Sequence, residues 1–96
     1  MGKRALSVAS VFTVSAQETL RQAIRDLQTA HVQSASLDAR ILLQHVLGIN
    51  HEQWVASPDM DMTSEQVATY HSLVTRRVAR EPIAHITGKR EFWSMD

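Results

Sequence analysis

The sequence predicts an all-α fold: a small bundle of four main helices plus a short turn initiated at Pro82, ending in the first strand of an incomplete β-hairpin. Three observations carry this prediction. Apolar residues recur at helical spacing in separate segments. Capping patterns head three of them: Ser15-x-x-Glu18, Asn50-x-x-Gln53 and Thr63-x-x-Gln66. Breakers divide the segments at Gly48, Ser57-Pro58, Pro82 and Gly88.

Residues 1–14 read as a flexible or loosely packed leader. Lys3-Arg4 followed by Ala5 to Val14 mimics a signal peptide, but Ser7, Ser10 and Thr13 interrupt its apolar run. Leu6 breaks the myristoylation pattern after Met1-Gly2. The bundle is expected over residues 15–80. Its first helix, from about Ala16 to Ala30, places Leu20, Ala23, Ile24, Leu27 and His31 on one face. The second, Leu37 to Leu47 with Ser36 as its cap, gathers Ala39, Leu42, Leu43, Val46 and Leu47 in a broad arc, leaving Leu37 and Ile41 outside. Such breadth marks a helix packed on several sides, the centre of the bundle. Gly48 then closes it in a Schellman motif.

A short third helix from Asn50 to Ala56 offers Trp54 and Val55 for burial, and Asp59-Met60-Asp61-Met62 reads as loop. The fourth helix starts at Thr63 and carries Val67, Tyr70, Val74 and Val78 as its stripe, flanked by His71 and Arg77. Residues 81–96 form a junction. Pro82 cannot continue a helix, and it drives Glu81 toward extended backbone. Beyond Gly88, Glu91-Phe92-Trp93 suits a strand. Adjacent strand residues face opposite ways, so Phe92 and Trp93 are expected to lack cover and to be poorly ordered or borrowed for another contact.

Composition narrows the function. The 96 residues allow one domain, with 44% apolar and 21% charged residues, as in globular domains generally. The chain has no cysteine, which excludes disulfides, thiolate metal sites and cysteine nucleophiles and suits a reducing compartment. No apolar run approaches a membrane span of about 18 residues. Net charge is zero, so no global field favours nucleic acid. Charge is nonetheless uneven: Arg76 to Glu91 holds five basic and two acidic residues, whereas Ile49 to Glu65 holds four acidic residues and no Lys or Arg. Two solvated patches of opposite sign would suffice to explain this.

Glycine occurs only at positions 2, 48 and 88, so there is no phosphate or dinucleotide loop. The five histidines, 31, 45, 51, 71 and 85, do not fall in a known metal spacing. His31 and His71 border apolar stripes and read as core-edge residues, and Trp54 and Tyr70 as core.

The run Glu81-Pro82-Ile83-Ala84-His85-Ile86-Thr87-Gly88-Lys89-Arg90-Glu91-Phe92-Trp93-Ser94 resembles the junction of the bacterial protein-(glutamine-N5) methyltransferases, the PrmC or HemK family. Leu37-Asp38-Ala39-Arg40-Ile41-Leu42-Leu43-Gln44-His45-Val46-Leu47-Gly48 is similar to that family's central N-terminal helix, and Thr75-Arg76-Arg77 also fits. The resemblance spans roughly residues 16–96. It implies S-adenosylmethionine as methyl donor and class I peptide chain release factors as partners, methylated on the glutamine of their Gly-Gly-Gln motif. It further implies a helical N-terminal domain that holds the release factor, a hairpin junction, a C-terminal Rossmann-like methyltransferase domain and a cytoplasmic setting. The family's Asn-Pro-Pro-Tyr signature and glycine-rich cofactor loop are absent. No catalytic, cofactor or metal residue carries over, and these residues alone are expected to bind without catalysing.

The expected contact residues are Arg76 and Arg80, with Lys89 and Arg90, meeting acidic release-factor surface. They cluster with no carboxylate at helical spacing to neutralise them. Helix-end electrostatics and solubility would equally explain the cluster. A free-standing helical protein-interaction module remains the alternative. A nucleic-acid-binding domain fits poorly with the neutral charge and the acidic middle.

Overall fold

A computed structural model describes residues 13–88 of the chain. Strand β1 (Thr13–Ser15) leads directly into α1 (Ala16–Thr29), followed by α2 (Ala35–Leu47) and the short α3 (His51–Ala56). Strand β2 (Asp61–Thr63), α4 (Ser64–Val78) and α5 (Ile83–Thr87) complete the order. The expected helical bundle is present, with α5 as the element that Pro82 initiates. Residues 1–12 of the leader, and the segment holding Lys89, Arg90, Phe92 and Trp93, lie outside the described residues.

The caps follow the sequence closely. Asn50 with Gln53 and Thr63 with Gln66 each close a two-way capping box. At α1 only half the box forms: the Glu18 amide donates to Ser15 Oγ at 3.2 Å, while the Glu18 carboxylate pairs with Arg21 at 3.0 Å. Helix α2 ends in the expected Schellman motif, with Gly48 at φ 69° and the Ile49 amide donating to Gln44 O at 3.1 Å. Two more helices end this way without glycine. His31 (φ 65°) follows α1 as the Val32 amide reaches Leu27 O at 2.9 Å, and Arg80 (φ 77°) follows α4 as the Glu81 amide reaches Arg76 O at 3.1 Å. The left-handed region costs a residue with a Cβ roughly 1–2 kcal/mol. The closing hydrogen bonds offset this by satisfying carbonyls that the helix end would leave orphaned.

Helices α1 and α4 run side by side in the same direction. Near their N-termini β1 and β2 pair antiparallel, with Val14 opposite Met62. At their C-termini Arg80 Nη2 donates to Ala30 O at 2.6 Å. Helix α2 packs against both and buries Ala35, Ala39, Leu42 and Leu43, the central role its broad arc predicts. Each such leucine contributes about 1.5–3 kcal/mol through burial. Tyr70, 1% exposed, packs in this core and donates its hydroxyl to Ala39 O at 2.8 Å. Burial, with a smaller contribution from the Asp26 charge, pushes its phenol above its ordinary pKa.

Several expectations need correction. Asp61 and Met62, read as loop, form β2 with Thr63, and Met62 is fully buried. Thr13 and Val14, counted with the leader, belong to β1. Both strands are three residues long, too short to show alternation, and their pairing is long-range. Helix α2 begins at Ala35 after Ser34 rather than after Ser36, and the Ser34 hydroxyl donates to the Asp38 carboxylate at 2.8 Å instead of capping an amide. On α3 Trp54 is buried but Val55 is 59% exposed, because so short a helix turns only one large residue inward. On α4 the buried set is Tyr70, Leu73 and Val74, and Val78 is 37% exposed on the wall of an open groove between α1 and α4. His31 and His71 are both exposed. His31 sits past the helix end, where its left-handed backbone turns it away from the face that periodicity assigns it.

Candidate protein-recognition surface

Arg76 and Arg80, two of the residues expected to bind, lie where α4 ends. The left-handed turn at Arg80 reverses the chain, and the next residue, Glu81, folds back beside the last turn of the helix. Its carboxylate accepts from Arg76 Nε at 2.9 Å and from Arg76 Nη2, a bidentate pair. His85 Nδ1, from α5, lies 2.9 Å from the same carboxylate. Arg76 is therefore neutralised, and the expectation of a cation cluster without a carboxylate partner fails on this point. The partner stands five residues along, beyond a helix end, so a search at helical spacing misses it.

Arg77 points inward. Its Nε donates to Asp38 Oδ2 at 2.8 Å, and its Nη1 donates to the backbone carbonyl of Glu81 at 3.1 Å. Asp38 is 5% exposed and also accepts from Ser34. Sequence reasoning missed both members of this pair. Asp38 falls in helical phase with Ala35 and Leu42, so a carboxylate on the core arc was the available signal; its partner 39 residues away was not legible. Arg80 remains on the surface, bound to Ala30 O. Ala30 lines an open groove of about 350 Å³ between α1 and α4, together with Asp26, Thr29, His71, Val74, Thr75 and Val78. Arg80 thus stands at one end of that groove. Lys89 and Arg90 lie outside the described residues.

The hydrogen bonds from Arg76 hold the Glu81 carboxyl well below its ordinary range, at about 2; the Arg76 charge and His85 add to the effect, and partial desolvation opposes it. A carboxyl depressed in this way contributes stability that is fully present above about pH 4.5 and is lost as pH falls through about 2. We expect carbon-detected NMR to place the Glu81 titration near the lower value, and Arg76→Ala to return it toward the ordinary glutamate value. An unmoved midpoint in that variant would show that the ion pair does not form in solution.

Among the described residues no cluster of His, Asp and Glu could hold a metal ion, and no helix is long and apolar enough to cross a membrane. What the arrangement offers is an ion-paired helix end beside an open groove.

The PrmC N-terminal domain family matches residues 18–88. A release factor glutamine methyltransferase of Escherichia coli (strain K12) is 46% identical over 79 residues, covering 82% of this chain and 28% of the relative. Its namesake from Caulobacter vibrioides is 35% identical over 69 residues, 72% of this chain and 24% of the relative. A protein of Rickettsia bellii named bifunctional methyltransferase is 33% identical over 82 residues, 85% of this chain and 15% of the relative. The chain spans less than a third of the length of these relatives. No solved structure matches significantly. The match runs from the first turn of α1 to the end of α5, and the chain belongs to the PrmC N-terminal domain family.

Proposed function

We propose that this chain is the recognition domain of an S-adenosylmethionine-dependent methyltransferase that methylates the glutamine side-chain amide in the Gly-Gly-Gln motif of class I peptide chain release factors in the cytoplasm. The observation that carries this reading is the match to the PrmC N-terminal domain family, supported by relatives named for release factor glutamine methylation. Residues 15–80 would hold the release factor, and residues 81–96 would lead into the methyltransferase domain.

The chemistry explains why a separate recognition domain is useful. An amide nitrogen is a weak nucleophile because its lone pair is delocalised into the carbonyl, so orientation against the methyl donor accounts for much of the acceleration. Binding remote from the reacting atoms supplies the free energy for that orientation. Arg80, at the end of the groove, is the first candidate for contact with acidic release-factor surface; Arg76, Lys89 and Arg90 are the further candidates.

Titrating this domain with a class I release factor should give saturable binding, and the full-length protein should methylate that factor with S-adenosylmethionine. Loss of either result overturns the reading. The contact assignment is tested by Arg80→Glu in the full-length protein, expected to raise KM for the release factor about fivefold with kcat little changed. An unchanged KM in a folded variant would remove Arg80 from the surface.

A further inference from the structure

We infer that the network centred on Glu81 is a clamp that makes the α4–α5 connection and α5 one rigid body with the bundle, and that Arg76, Arg77 and Glu81 are thereby positioning residues for the methyl transfer. This inference rests on the function proposed above.

The junction between α4 and α5 is four residues long, and each is tied down. The Ala79 amide donates to Thr75 O at 3.1 Å, the Arg80 amide to Arg77 O at 2.9 Å and the Glu81 amide to Arg76 O at 3.1 Å. Pro82 has no amide, and its carbonyl accepts from both His85 and Ile86 amides at 3.0 Å. A hinge has the opposite character, with backbone groups left to water and torsions free to rotate. Here Pro82 fixes its own φ at −64°, and it restricts Glu81 to extended backbone.

The side chains add what backbone bonding alone would not. Arg77 reaches the main-chain carbonyl of Glu81 while its other edge is held by the buried Asp38, which Ser34 holds in turn. The junction backbone is thus fixed to α2 as well as to α4. The Glu81 carboxylate takes Arg76 from α4 and His85 from α5, which sets the angle between those two helices. Ile86, 6% exposed, seats α5 in the common core. Adjoining domains move relative to one another by default unless their interface prevents it. A connection built this way removes that freedom from α4 through α5, so a partner held by the bundle keeps a defined placement relative to α5, through which the proposed methyltransferase domain would attach.

The test uses the full-length protein carrying Glu81→Gln or Arg76→Ala, and the charge-swapped pair Arg76→Glu with Glu81→Arg. Hydrogen–deuterium exchange reads the clamp without reference to activity. The Ile86 and Gly88 amides should exchange about tenfold faster in the single variants while α2 keeps its protection, and the swap should restore them in part. In parallel, Glu81→Gln, which removes no cation from the proposed contact surface, should lower kcat for release-factor methylation about tenfold with KM within twofold, because binding survives while orientation is lost. Unchanged exchange in both single variants would show that there is no clamp. Faster exchange with unchanged kcat would show that the clamp does not position the reaction. If the wild-type protein does not methylate release factors, the proposed function fails and the positioning role with it, and the exchange measurement still decides the clamp.

Discussion

Arg77→Leu is expected to lower the free energy of unfolding by about 3 kcal/mol, because it strands the buried Asp38 carboxylate with only the Ser34 hydroxyl for a partner. A domain of this size has roughly 4–11 kcal/mol in total, so the loss is a large share. Urea unfolding followed by circular dichroism would show the midpoint falling at constant slope. The paired variant Asp38→Leu with Arg77→Leu should recover most of the loss, since removing both charges removes the desolvation penalty as well. It should remain about 1 kcal/mol short, because the Glu81 carbonyl still loses its donor. Equal destabilisation in the single and paired variants would mean that Arg77 acts through packing of its aliphatic stem, not through the ion pair.

Met62→Ala is expected to cost about 2 kcal/mol, with Tm falling by roughly 10 °C. The side chain is fully buried, in contact with the core that α1, α2 and α4 share, so its removal leaves a cavity. A surface-loop methionine would give a change within about 0.5 kcal/mol. Differential scanning calorimetry separates the two outcomes cleanly. A near-zero effect would place residues 61–63 on the surface and undo the pairing of β2 with β1.

These two residues show what sequence reasoning reaches. Leu42, Leu43 and Tyr70 were legible as core because helical periodicity is local: each sits three or four positions from another apolar residue on the same face. The capping boxes at Asn50 and Thr63 and the left-handed close at Gly48 were legible for the same reason, since all their partners lie within five residues. The family resemblance at Glu81 to Ser94 and Leu37 to Gly48 carried the identity, which the helical pattern alone left open.

By itself, then, the sequence determined which segments are helical, where they end and, apart from α2, where they start, and the family they belong to. Only the tertiary structure decided where the charges go. Arg76 meets Glu81 across a helix end, Arg77 meets Asp38 from another helix, and Arg80 meets Ala30 O fifty residues upstream. The same holds for Met62, buried in the core that distant helices build and carried by a strand paired with Thr13–Ser15 far upstream. The physical reason is one of range. Helix formation and capping are settled by neighbours within a turn or two, whereas a charge or a short strand takes whichever partner packing brings near, and that partner has no fixed spacing along the chain.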